Sequence, residues 1–210
     1  MRIAWEFIYP KGGWGRAFSY VIHRIRRLPD PPYKIARGIF AGVFTTFTPF
    51  YGLHFILSAM LAVAMRGNIL AALLATFFGN PVTYVPIAVV SLQTGHFLLG
   101  TEMTPSVERS LVGKFFAAGE DLMSNLWLIV MGRGETVDWS DLYAFHSEVF
   151  LPYLVGGIIP GLIAGLVAYY LTVPVITAYQ KGRLKRLRAK AEKRRAQAAE
   201  TGGTRDGDDT

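Results

Sequence analysis

Between Arg37 and Glu102 the chain carries one formal charge, Arg66, and between Glu148 and Lys181 it carries none. No other feature constrains the fold as strongly. A helix in the core of a soluble protein shows a polar stripe every three or four residues. These stretches show none, so their surroundings must be apolar on every side. Uncharged apolar runs above ~18 residues indicate bilayer spans. The composition fits once the charges are seen to lie elsewhere: 51% of residues are hydrophobic even though the net charge is +7. The expected fold is all-α and integral to a membrane, with broken or re-entrant helices, one Gly-rich transmembrane helix and amphipathic interfacial helices.

Five segments follow. In residues 1–34, Trp14, Phe18, Val21, Ile22, Ile25 and Leu28 recur at helical spacing, with Arg16, His23, Arg24, Arg26 and Arg27 between them. Such a cationic amphipathic helix lies in the headgroup layer or docks on the protein's own core. Pro29, Pro31 and Pro32 end it. Residues 35–100 form an interrupted transmembrane block. Residues 101–148 are an acidic insert, with Glu102, Glu108, Glu120, Asp121, Glu135, Asp138, Asp141 and Glu148 against Arg109, Lys114 and Arg133. Its uncharged run Leu122 to Met131 is too short to span and reads as an interfacial or docked helix. Residues 149–178 form a transmembrane helix with Gly157, Gly161 and Gly165 on one face. That spacing lets a second helix approach closely, from this chain or from another copy. Residues 179–210 are a strongly basic tail, and its end from Thr201 is expected to be disordered.

Lys and Arg beside spans stay on the cytoplasmic side. Both ends are basic and the insert is acidic, so both termini are expected in the cytoplasm and the insert in the periplasm. That requires an odd number of crossings between Ile35 and Gly100. One full crossing with a re-entrant hairpin satisfies it, and so do three crossings by shortened helices. The first apolar block begins only near Ile35, and Met1 to Pro10 carries Glu6 without a long apolar core. No cleavable signal is therefore expected.

The block is interrupted twice, at Thr48-Pro49-Phe50-Tyr51-Gly52 and from Gly79 to Pro86. Pro49, Gly52, Pro81 and Pro86 are the expected helix breaks. Broken backbone in an apolar medium leaves amides and carbonyls that the protein must satisfy or expose to a wet cavity. Asn80, Thr83, Thr48 and His54 are the candidate polar site at these breaks. Asn80 can cap the freed backbone or contact a ligand. His54 can titrate near neutral pH, and an intramembrane ionisable group is a functional candidate. His96 sits nearer the block's end. The chain has no cysteine, which excludes disulfides and thiolate chemistry. Its four histidines are scattered without ligand spacing, so no metal and no cofactor is expected. No phosphate-binding loop, dinucleotide fingerprint or nucleophile elbow is present, and no enzyme is expected.

On Gly38, Gly42, Phe44, Pro49 and Gly52, then Asn68, then Asn80-Pro81-Val82-Thr83 with Pro86, then Gly95, the chain resembles the bacterial membrane family called domain of unknown function 2062. With the basic helix and the Gly-rich span, the resemblance runs roughly from Trp14 to Tyr170. It implies a small protein of the bacterial inner membrane. Some members are joined to sugar-transferring domains, which implies work on an envelope component. The expected function is transport or handling of an envelope or lipid-linked component through a broken-helix site. The alternative is a non-catalytic scaffold or accessory subunit. Expected partners are membrane lipids, with anionic headgroups at the basic ends, and a possible homo-oligomer or envelope-assembly partner. Nucleic acid is not expected, because the basic tail lacks interleaved aromatics for base stacking.

Overall fold

The structure, a computed structural model, describes residues 13–101, 111–133 and 139–203. Among these residues every regular element is helical. Helix α1 (Gly13–Arg26) forms on the expected stripe and ends before Pro29. Its C-terminal end docks on the chain's own core: Ile25, and Leu28 just beyond the helix, are buried in one cluster with Ile35 and Ile176, and Val21 packs at its edge.

Helix α2 (Pro32–Thr45) starts with proline in its first turn, where a missing amide costs nothing. Its 14 residues make it about 21 Å long. At its end Thr45, Thr46 and Thr48 each donate a hydroxyl to the carbonyl three residues back, at 2.7–2.9 Å. Pro49 cannot continue the helix, and Gly52, at φ +85°, completes a reversal that a side chain would resist. Helix α3 (His54–Ala64) then returns along α2 and packs there through Ala41, Ala62 and Ala72.

The next turn, Met65–Asn68, reaches the level at which α2 began. The Asn68 amide donates to the Lys34 carbonyl at 2.8 Å, and the Asn68 side chain donates to the Asp30 carboxylate. Arg37 donates to the Met65 carbonyl at 3.3 Å. Asn68 Oδ1 also caps helix α4 (Ile69–Ala75) by accepting from Ala71 N. A single 3₁₀ turn, Thr76–Phe78, extends α4.

Small residues set the packing. Gly38 faces Asn68 and Ala71, Gly42 faces Ala72 and Ala75, and Gly79 faces Thr46. Both number series rise together, so α4 runs parallel to α2. After Asn80 comes helix α5 (Pro81–Leu99). Ser91 lies against Gly156 and Gly157, and Gly95 against Pro152. Helix α8 (Leu151–Gly203) also receives α2 at Phe40 against Gly165, Phe44 against Gly161 and Phe47 against Gly157. In both series the numbers rise on one helix and fall on the other. α2 and α5 therefore both run antiparallel to α8, one beyond the other along it. The glycine face of α8 is filled by this chain's own helices, so it is no evidence for a second copy.

Helix α6 (Leu111–Val130) packs on α7 (Ser140–Phe145), and a π-turn, His146–Phe150, leads into α8. Lys114 pairs with Glu148 at 2.8 Å.

Three expectations need correction. Pro86 does not break a helix but sits inside α5. Its one missing donor falls near the N-terminal end, so only the bond toward Val82 is lost. The second interruption is therefore Gly79-Asn80 alone, with Pro81 opening α5. The basic tail is not a separate segment from residue 179, since α8 runs unbroken to Gly203. Once nucleated by the packed part, a run of Lys, Arg, Ala, Gln and Glu adds a bond per residue at little cost. α8 takes in Thr201–Gly203, and residues 204–210 lie outside the described residues, as do Glu102, Glu108, Arg109, Glu135 and Asp138.

Two helical stretches, Pro81–Leu99 and Leu142–Lys193, are long and apolar enough to cross a bilayer. In the block and in α8, polar side chains are buried and large apolar ones exposed around a core that is itself apolar. Thr45, Thr46, His54, Ser58, Thr76, Ser91 and His96 are buried, while Phe55, Ile56, Met60, Val63, Phe77, Val82, Val85, Ile163, Val167 and Leu171 are exposed.

Candidate functional site

Both breaks arrive at one place. The hairpin tip carries Tyr51, His54 opens α3, Tyr84 lies in the first turn of α5, and Tyr153 lies at the start of α8. The Tyr51 ring centroid is 5.2 Å from Tyr84, 5.5 Å from His54 and 6.1 Å from Tyr153, all edge-on. His54 and Tyr84 are 5.9 Å apart. Edge-to-face contact at these separations is the favoured geometry for aromatic pairs.

Hydrogen bonds run through the cluster. The Tyr51 and Tyr153 hydroxyls meet at 2.9 Å, and Ser91, fully buried, neighbours Tyr153. His54 Nε2 lies 3.2 Å from the Thr48 carbonyl oxygen. A carbonyl can only accept, which assigns the proton to Nε2 and leaves Nδ1 as an acceptor. Nδ1 faces the Tyr84 hydroxyl at 3.4 Å, a long contact.

The four residues singled out from sequence fall into two pairs. Thr48 and His54 are brought together by the bond just described. Asn80 and Thr83 close a capping box at the start of α5. Asn80 Oδ1 accepts from Val82 N at 3.0 Å and Thr83 N at 3.2 Å. Thr83 Oγ1 accepts from Asn80 N at 2.9 Å and donates to Phe78 O. Their polar atoms are therefore engaged with backbone freed at the break, the role a helix cap performs. Tyr84 links the pairs, since its amide donates to Asn80 O and its hydroxyl faces His54.

Sequence reasoning missed Tyr51, Tyr84, Tyr153 and Ser91. The first two lie inside the interruption motifs, and a tyrosine deep in an uncharged segment was the available signal, because a buried hydroxyl needs a partner. His96 is buried apart from this cluster, with Nδ1 2.8 Å from Thr101 Oγ1. Among the described residues, no three His, Cys, Asp or Glu side chains gather where they could hold a metal ion.

The arrangement gathers ring faces, hydroxyls and an imidazole; Tyr51 is exposed and Tyr84 half-buried, while His54 and Tyr153 are buried. Aromatic surface carrying a few placed polar groups is the usual make-up of a small-molecule site. It holds no carboxylate pair and no activated nucleophile. The model of a family described as an uncharacterized protein conserved in bacteria (DUF2062) matches residues 15–185. No curated protein and no solved structure matches the chain.

Proposed function

We propose that this chain, which belongs to the bacterial DUF2062 family, is a multi-pass inner-membrane protein that transports or handles an envelope or lipid-linked component. The observation that carries this reading is the Tyr51–His54–Tyr84–Tyr153 cluster, placed where both helix interruptions meet.

The exposed apolar surface supports a lipid surrounding. Large exposed apolar patches on a soluble monomer are rare, and here they cover α3, α4, α5 and α8 while the polar side chains face inward. In this frame α2 and α3 form a re-entrant hairpin, because about 21 Å of helix is short of a ~30 Å hydrocarbon core. α4 and α5 together form one interrupted crossing, and α8 is the return. The basic residues of α1, Lys34, Arg37, Arg66 and Lys181 share one end with the Asp30–Asn68 contact. That end is cytoplasmic by the charge rule, where anionic headgroups are its nearest partners.

The cluster suits a ligand with an apolar face and a hydroxylated edge, such as a lipid-linked sugar. The reading is of a carrier or handler and not of an enzyme. Reconstituted protein is expected to change the flux or flipping of such a component across vesicles. His54→Ala and Tyr84→Phe are expected to reduce that change while the protein keeps its fold. If both variants retain full flux, the cluster leaves the mechanism and the non-catalytic scaffold becomes the better reading. Topology has its own test in this cysteine-free chain. Arg66→Cys and Lys190→Cys should label from the cytoplasmic side and Ala117→Cys from the other. Labelling of Arg66→Cys from the periplasm would overturn the hairpin.

A further inference from the structure

The chain's two amphipathic helices are treated differently by the fold. α1 buries Ile25 to 9% exposure, and Leu28 just beyond it is buried to 8%. α6 leaves Phe116, Met123, Trp127 and Val130 exposed at 75%, 69%, 62% and 75%. At 100° per residue these four, with Leu122 and Leu126, cover an arc of about 140°. On its other side α6 is held: Ala118 and Asn125 are buried, and Lys114 reaches Glu148.

The width and charge of the arc select what covers it. A seam with one partner helix needs only a narrow stripe, whereas a protein core or an acyl boundary takes a broad arc, and α6 already turns its Ala118 and Asn125 side to its own chain. Phe97 to Leu99 at the end of α5 and Leu151 at the start of α8 are likewise exposed and apolar. The described charges of α6 are Lys114, already paired, with Glu120 and Asp121. Nothing there attracts anionic headgroups.

We propose that α6 is an interfacial helix at the acidic end of the molecule, its apolar arc sunk in the acyl boundary and held by apolar burial without regard to lipid charge. The proposal rests on the membrane reading above. Its test places single nitroxide labels at Val130→Cys, Ala117→Cys and Tyr170→Cys in full-length protein, in vesicles of pure phosphatidylcholine. All three positions are exposed, so the fold is expected to tolerate them. Collisions with oxygen report lipid and collisions with a nickel chelate report water.

The label at Val130 is expected to favour oxygen, as Tyr170 on α8 does, and the label at Ala117 to favour the chelate. A water-exposed Val130 beside a lipid-exposed Tyr170 overturns the proposal and leaves the membrane reading standing. A Val130 shielded from both probes overturns it in favour of a second copy. Water at both Val130 and Tyr170 overturns both readings. A Val130 that enters lipid only when anionic lipid is added overturns the claim of charge independence.

Discussion

The two interruptions of the apolar block look alike in sequence and act in opposite ways. At Pro49 the chain reverses, and α3 retraces α2. At Asn80 it pauses for two residues and α5 continues with the heading of α4. Each has a proline and a glycine nearby, so the mere presence of those residues does not decide direction. The caps and the glycine faces decide it. At the first break three threonine hydroxyls fold back onto α2 carbonyls, and Gly52 supplies a positive φ. At the second, Asn80 and Thr83 supply an N-terminal cap. There Gly95 and Gly156 offer α5 a backbone surface on α8. A proline in a span therefore marks where backbone bonds are lost, and the packing surface beyond it sets where the chain goes.

The comparison is open to mutation. The largest effects belong to the glycine faces. A Cβ at Gly95 would lie 1.8 Å from the Pro152 carbonyl oxygen, and one at Gly42 2.3 Å from that of Ala72. Gly95→Ala and Gly42→Ala are each expected to cost about 3 kcal/mol or more, read as a fall in melting temperature in detergent. Gly182→Ala, which meets nothing within 4 Å, should leave it unchanged or slightly raised. If all three behave alike, packing does not set the chain's course.

The next effect separates the breaks directly. Gly52→Ala forces a side chain into a left-handed backbone and is expected to cost about 1–2 kcal/mol. Replacing Asn80 instead tests a cap. Asn80→Ala should cost about 1 kcal/mol, and Asn80→Asp should recover most of it. Thermal unfolding of the aspartate variant is the discriminating measurement, because a ligand contact specific to the amide would not be rescued in function. Tyr153→Phe removes the hydroxyl that holds the hairpin tip to α8 and should cost about 0.5–1.5 kcal/mol. Its signature is faster hydrogen exchange at Tyr51 to His54 with exchange at Asn80 unchanged. The smallest effect is at Pro86. Pro86→Ala restores a donor within α5 and should not lower the melting temperature, whereas a true break would respond.

Much of this was legible in the sequence because it depends on neighbours along the chain. Charge-free runs, the Pro29–Pro32 stop and the Asn80-Pro81-Val82-Thr83 cap all follow from local chemistry. The membership shown by the family match over residues 15–185 was likewise carried by short motifs. The role of Pro86 was misread because a proline's effect depends on its distance from the helix start, and the start lay at Pro81. The tail's helix was missed because its nucleus is the packed part of α8, more than a turn away.

What the sequence determined by itself is the apolar character of the two long stretches, the positions where helical hydrogen bonding must fail, and the residues able to cap those failures. Only the tertiary structure decided which helix fills each glycine face, that the end of α1 is covered while one face of α6 is not, and that Tyr51, His54, Tyr84 and Tyr153 meet. The physical reason is one of range. Helical backbone bonds and caps reach only about four or five residues, while side-chain packing joins positions as distant as Tyr51 and Tyr153, and no local pattern encodes which surfaces will touch.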